Sequence, residues 1–257
     1  MTLDRDKDNI TFVGRMDFFG SEEGGRFLEQ KYRPRIEALK EYFGSRFSGI
    51  RLLDIGIGYG MFLKAVEDEG VKRVFGMDPF PKSIEIARRN TSAEIFEGDI
   101  LDDQWPVEKQ GYDAITCMDV VEHLEDPSVF FHKVKEYLRE GGILLVTTPN
   151  KSLPYMMRSI PFIGRKDPNP THINVRRPAY WRRLSREHGF EILKEWKGEH
   201  LTHIRFIPRV LTPLFRIFRL DHRRIPIVNA FEQSFCMVLR PIALSPSSCS
   251  LSFAPGH

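Results

Sequence analysis

The chain has 257 residues, 41% of them hydrophobic, which suffices for one large domain with a full core and excludes disorder throughout. No run approaches the ~18 consecutive apolar residues of a membrane-spanning helix, and the charged stretch Asp4-Arg5-Asp6-Lys7-Asp8 carries no apolar signal region. The net charge of +3 is uneven, with residues 205–224 at +5 and the remainder at −2.

Residues 1–25 read as an N-terminal flap, with Phe12, Val13, Phe18 and Phe19 too apolar for a plain tail. From Arg26 to Phe47, apolar residues recur at helical spacing (Phe27, Tyr32, Ile36, Leu39, Phe43). They predict a helix that either packs on a sheet edge or closes over a ligand. Leu52 to Ile55 is a short buried strand. Gly56, Gly58 and Gly60 follow, letting the backbone turn tightly and approach a ligand, before a helix from Met61 to Glu69 that Gly70 stops. That helix start offers amide donors. The second strand runs to Met77 and ends in Asp78-Pro79-Phe80. An acid there suits two ribose hydroxyls, and Phe80 suits an adenine face. A helix from Ser83 to Asn90 and a strand from Ala93 to Phe96 lead to Asp99 and Ile100.

The fourth strand, Tyr112 to Met118, runs into Asp119-Val120-Val121-Glu122-His123-Leu124. Asp126-Pro127 opens a helix reaching Leu138, which Gly141-Gly142 closes before a strand from Ile143 to Thr147. Residues 151–175 are an insertion rich in Pro, Gly and Met. A helix from Pro178 to His188, a strand opening at Phe190, a second insertion at 199–230 and a strand from Ser234 to Leu239 complete the domain. Residues 241–257 read as a disordered Ser/Pro-rich tail. Cys117, Cys236 and Cys249 fall at no metal-ligand spacing, so a reduced, cytoplasmic protein is expected.

Strands alternating with helices predict a parallel α/β sheet, whose ligands bind at the carboxyl ends of the strands. Gly56, Asp78, Asp99, Met118 and Pro149 all fall at such ends. The dinucleotide fingerprint wants glycine where Met61 stands, and no Gly-Lys-Ser/Thr run follows the loop. Asp54, two residues before the first glycine, repels a pyrophosphate and attracts an amino or sulfonium group. A nicotinamide-dependent oxidoreductase is therefore the weaker reading, and the lack of a Tyr-x-x-x-Lys pair weakens it further.

The stretch Asp54-Ile55-Gly56-Ile57-Gly58-Tyr59-Gly60 resembles the Asp/Glu-x-Gly-x-Gly-x-Gly loop of class I S-adenosylmethionine-dependent methyltransferases. Asp119 to Leu124, Gly141 to Leu144 and Thr148-Pro149-Asn150 are most similar to the small-molecule O-methyltransferase branch that includes the ubiquinone-biosynthesis enzymes. The resemblance implies a doubly wound, Rossmann-like α/β fold over residues 26–240. Its seven-stranded sheet would be mostly parallel, with an antiparallel last strand and helical lid insertions. It implies S-adenosyl-L-methionine as cofactor, held by Asp54, Gly56, Ile57, Gly58, Gly60, Asp78, Pro79, Phe80, Asp99, Ile100 and Met118, with Asp99 accepting from the adenine amino group. The implied reaction is methyl transfer to a small apolar, lipid-like or quinone-like acceptor, most favourably at oxygen. The alternative is a non-catalytic binding or assembly module at a membrane.

An oxygen nucleophile must lose a proton, so a base or a metal helps. His123 and His172 are the base candidates, and Asp119 lines the same region. Asp119, Glu122 and His123 have i, i+3, i+4 spacing, and with His172 they can ligate one divalent ion. The set resembles the Glu-x-x-Glu-His magnesium site of some O-methyltransferases. Asp119 is one methylene shorter than that pattern's first acid, and Mg2+ dependence is the less favoured reading. The basic segment 205–224 and its companion 153–165 suit either a lid touching an anionic membrane or an apolar substrate, or a helical subdomain packed on the sheet. No nucleic-acid partner is expected, because no base-stacking motif accompanies the basic residues.

Overall fold

The computed structural model describes residues 22–151, 171–198 and 234–242. Most of the proposed flap, the second insertion with its basic segment 205–224, most of the first insertion and all but the start of the tail lie outside them, while residues 22–25, expected in the flap, form the start of the first helix. Among the described residues no helix is long and apolar enough to cross a membrane.

A seven-stranded sheet organises the chain. Its strands are β1 (Arg51–Ile55), β2 (Arg73–Asp78), β3 (Glu94–Glu97), β4 (Tyr112–Met118), β5 (Leu138–Pro149), β6 (Phe190–Gly198) and β7 (Ser234–Pro241), in the spatial order β3-β2-β1-β4-β5-β7-β6. The first five pair in parallel, and β7 runs antiparallel between β5 and β6. This is the expected layout. A dinucleotide-binding sheet is wound 3-2-1-4-5-6, so the inserted antiparallel strand removes the fold-level support for a nicotinamide enzyme.

Both faces are covered, which is why the central strands are apolar on alternate residues in both directions. Helices α1 (Glu22–Phe43), α2 (Met61–Asp68) and α3 (Pro81–Asn90) bury Leu39, Phe43, Leu63, Val66 and Ile84 against Leu52, Ala114 and Leu145. Helices α4 (Pro127–Tyr137) and α5 (Pro178–Glu187) bury Phe130, Phe131, Val134 and Trp181 with Leu53, Ile115 and Leu144 on the other face. Thus α1 packs across a sheet face rather than along an edge. Its Tyr42 hydroxyl donates to the Gly141 carbonyl at 3.0 Å.

Asp126 caps α4 by accepting from the Ser128 amide at 2.9 Å, with Pro127 in the first turn, as its sequence dictates. The end of α4 differs from expectation. Leu138 is already extended, so the chain enters β5 there, and Gly141 and Gly142 lie inside the strand. The register between β4 and β5 jumps from Tyr112↔Leu138 to Ala114↔Ile143, and Gly141, at φ +72°, supplies the left-handed turn of that bulge.

Candidate active site

The site lies along the carboxyl ends of β1, β2, β4 and β5. The glycine loop after β1 is held by its own backbone and by Asp78. The Gly56 amide donates to the Met77 carbonyl at 2.8 Å, and the Gly60 amide to the Ile57 carbonyl at 3.0 Å. Gly56 has φ +75°, and a Cβ there would stand 2.3 Å from Val120 Cγ2, so only glycine fits. Gly58 has φ +52°, but a Cβ there would meet nothing within 4 Å. The loop is therefore packed at its base and accessible at its middle.

Asp78 is buried, and its two carboxylate oxygens accept separately. Oδ2 takes the Gly58 amide at 3.0 Å, and Oδ1 takes the Phe80 amide at 2.9 Å. Each oxygen keeps acceptor capacity for a second donor. Burial pushes its pKa up to about 6 against the pull of those amides. Pro79 and Phe80 are half-buried beside it. Asp99 is also half-buried, and its Oδ1 accepts from the Leu101 amide at 2.9 Å, an Asx turn within its own loop. Ile57 is buried beside Gly76, and Met118 is half-buried.

Two members of the expected cofactor set have side chains engaged with the protein itself. Asp54 is fully enclosed, and its Oδ1 accepts from Thr116 Oγ1 at 2.6 Å. Burial raises its pKa to about 7, so its charge is only partly present at neutral pH. Ile100 packs its side chain in the core, while its carbonyl accepts from Trp105 Nε1 at 3.2 Å.

The ends of β4 and β5 carry the reacting-side candidates. Asp119 adopts φ +56°, its amide donating to the Thr147 carbonyl at 3.0 Å. Its Oδ2 accepts from Lys31 Nζ of α1 at 2.8 Å. Burial works to raise the Asp119 pKa, but the Lys31 ammonium, with Arg35 behind it, outweighs burial and holds the carboxyl well below the usual range. Arg35 is fully buried one turn along and donates to the Lys31 carbonyl.

Beyond Asp119, the 3-10 turn Val121–His123 points Glu122 inward. Glu122 is 0% exposed, and neither carboxylate oxygen makes a hydrogen bond of ordinary geometry among the described residues. Burial, reinforced by the Asp119 charge, drives its pKa well above the carboxylate range. His172 Nε2 lies 3.9 Å from Glu122 Oε1, and the His123 and His172 rings are 4.8 Å apart. His123 Nδ1 lies 3.1 Å from the Thr171 carbonyl and 2.8 Å from the Thr171 hydroxyl, and the two contacts tie the ring to that segment. Asn174 staples the second histidine's segment in place. Its amide donates to the Glu122 carbonyl at 2.8 Å and its Nδ2 to the Glu125 carbonyl at 3.1 Å.

Glu122, His123 and His172 each offer a ligand atom, all within 4.8 Å of one another. The Glu122 carboxylate, with His172 at 3.9 Å and no hydrogen bond of ordinary geometry among the described residues, fits a cation-binding role, since such a buried carboxyl is otherwise costly. Asp119 does not join them, because it turns to Lys31. Sequence reading missed Lys31, Arg35, Thr116 and Asn174. Lys31, Thr116 and Asn174 each act on a partner far along the chain, and Arg35 bonds the Lys31 carbonyl one turn away, so no local motif marks their roles.

Comparison with known proteins agrees with this geometry. A methyltransferase domain family matches residues 25–195. A mitochondrial ubiquinone biosynthesis O-methyltransferase from Schizosaccharomyces pombe is 28% identical over 169 residues, covering 59% of this chain and 60% of that protein. A ubiquinone biosynthesis O-methyltransferase from Xylella fastidiosa is 30% identical over 141 residues, 51% of this chain and 57% of its own. The chain thus spans about three fifths of the length of these relatives. A SAM-dependent methyltransferase structure from Aquifex aeolicus superposes with a TM-score of 0.56 at 14% identity, covering 93% of this chain and 98% of that one, which establishes the fold. From the match over residues 25–195, the chain belongs to the methyltransferase domain family.

Proposed function

We propose that the protein transfers a methyl group from S-adenosylmethionine to an oxygen of a small, apolar or quinone-like acceptor. The observation that carries this reading is Asp78, a buried carboxylate already organised by the Gly58 and Phe80 amides and able to accept two further hydroxyl donors. The names of the curated relatives support oxygen and a quinone-like acceptor.

The donor, when bound, supplies a sulfonium methyl whose departure leaves a neutral thioether. Asp78 holds the ribose hydroxyls, and Asp99 and Phe80 flank the base. The accessible middle of the loop at Gly58 lets the backbone approach the methionine end. Lys31 and Arg35 place cationic charge beside Asp119 and Asp54, balancing the acids of this part of the site. Methyl transfer is an in-line displacement, so the protein acts mainly by alignment and exclusion of water. His172, with Glu122 behind it, and His123, held by Thr171, are the groups for the acceptor hydroxyl's proton. The same three residues would hold a divalent cation, whose chemistry there is to lower the pKa of that hydroxyl.

The test is radiolabelled methyl transfer from S-adenosylmethionine to a panel of catechol and hydroxyquinone acceptors. The reading predicts a methyl ether product that is lost in Asp78→Ala. Tight binding of S-adenosylmethionine with no transfer to any hydroxylated acceptor would favour the non-catalytic module instead.

A further inference from the structure

The acid that opens the cluster's sequence pattern is not available to a metal in this structure. Asp119 is bound by Lys31 at 2.8 Å, and its left-handed backbone is tied to β5 through the Thr147 carbonyl. To reach an ion between Glu122 and the histidines it would have to leave the ammonium, stranding a cation that keeps only 23% of its side-chain surface exposed. Glu122, by contrast, is wholly buried, makes no hydrogen bond of ordinary geometry among the described residues, and has its nearest charged group in His172, itself a proposed ligand. His123 is fixed through Thr171, and His172 is carried in on the Asn174 staple. The donor set that remains is one carboxylate and two imidazoles. Mg2+ favours an all-oxygen octahedron, whereas imidazole suits later divalent ions.

Resting on the reading of this cluster as the acceptor side of the site, we propose that Lys31 sets the metal preference. By withholding Asp119 it leaves Glu122, His123 and His172 as the ligands, so the site takes Co2+, Mn2+ or Zn2+ in preference to Mg2+. Lys31 is on this account a positioning residue, acting through Asp119.

The experiment uses the full chain, stripped with a chelator and titrated with Co2+ while visible absorption reports its ligation. The proposal expects one Co2+ site that Mg2+ at about a hundredfold excess does not empty. Glu122→Gln and His172→Ala are expected to weaken Co2+ on the order of 100-fold, and Asp119→Asn by less than about threefold. Lys31→Met frees the carboxylate and is expected to raise Mg2+ affinity, a gain that the Lys31→Met/Asp119→Asn double variant removes. Should Lys31→Met fold poorly, Asp119→Asn alone decides the matter. Loss of Co2+ in Asp119→Asn as large as in Glu122→Gln would overturn the proposal. So would displacement of Co2+ by equimolar Mg2+, or no Co2+ binding to the unaltered chain. S-adenosylmethionine binding, measured separately by calorimetry, fails or holds independently of these results.

Discussion

Asp78 at the end of β2 and Glu122 just beyond β4 are both buried carboxyls, and they are held in opposite ways. Asp78 accepts two backbone amides and has a pKa near 6. Glu122 makes no ordinary hydrogen bond among the described residues and favours its neutral form. The first is preorganised by its own loop. The second is built from side chains that come from separate segments, with His172 at 3.9 Å as its nearest charged group. The proposed cofactor half is thus organised by backbone amides. The proposed acceptor half is a set of coupled side chains whose balance depends on α1 and on the Thr171–Asn174 segment.

Substitutions sharpen that contrast, and the largest effect belongs to the cofactor half. Asp78→Ala removes two charged acceptors, and S-adenosylmethionine affinity is expected to fall at least about 100-fold by calorimetry. Gly58→Arg should match it, since it fills the accessible part of the loop at a positive φ. Next come Glu122→Gln and His172→Ala. Methyl transfer is expected to slow on the order of 100-fold while S-adenosylmethionine affinity stays within about threefold. If affinity and rate fell together in both sets, the two halves would not be separable.

A third effect concerns Asp54. Its folded pKa, near 7, is raised above the unfolded value, so the native state holds the proton more tightly. Stability is then greatest below about pH 4 for this group and is lost as pH rises towards 7. Asp54→Asn keeps an acceptor for Thr116 and carries no charge. It is expected to be more stable than the parent at pH 8, on the order of 3 kcal/mol, and similar at pH 4, by urea denaturation. The smallest effect is Lys31→Met. Asp119 has a depressed folded pKa, so the pair stabilises above the unfolded carboxylate value and the gain is lost as pH falls. Both side chains are partly exposed, so the cost at pH 7 is about 1 kcal/mol and shrinks at pH 3.

The same contrast explains what the sequence revealed. The sheet was legible because β1 to β4 are short apolar runs punctuated by glycine, proline and aspartate. β4 ends where its pattern says, and Asp126 caps α4 as its spacing requires. Asp78 was legible because its position follows from the strand that carries it. The bulge at Gly141 was misread as a helix stop because a left-handed glycine serves either purpose. The grouping of Asp119 with Glu122 and His123 followed helical spacing. The chain instead makes one 3-10 turn from Val121, with Asp119 reversed ahead of it, so the acid faces α1. That Lys31, 88 residues earlier, would claim it is a tertiary fact with no local signature.

Calorimetric titration of the unaltered chain and of Asp78→Ala with S-adenosylmethionine at pH 7.5, with circular dichroism confirming both folds, tests the central claim most directly. The account predicts single-site binding to the unaltered chain and its loss in the variant. Equal binding by both proteins, or none by the unaltered chain, would contradict it.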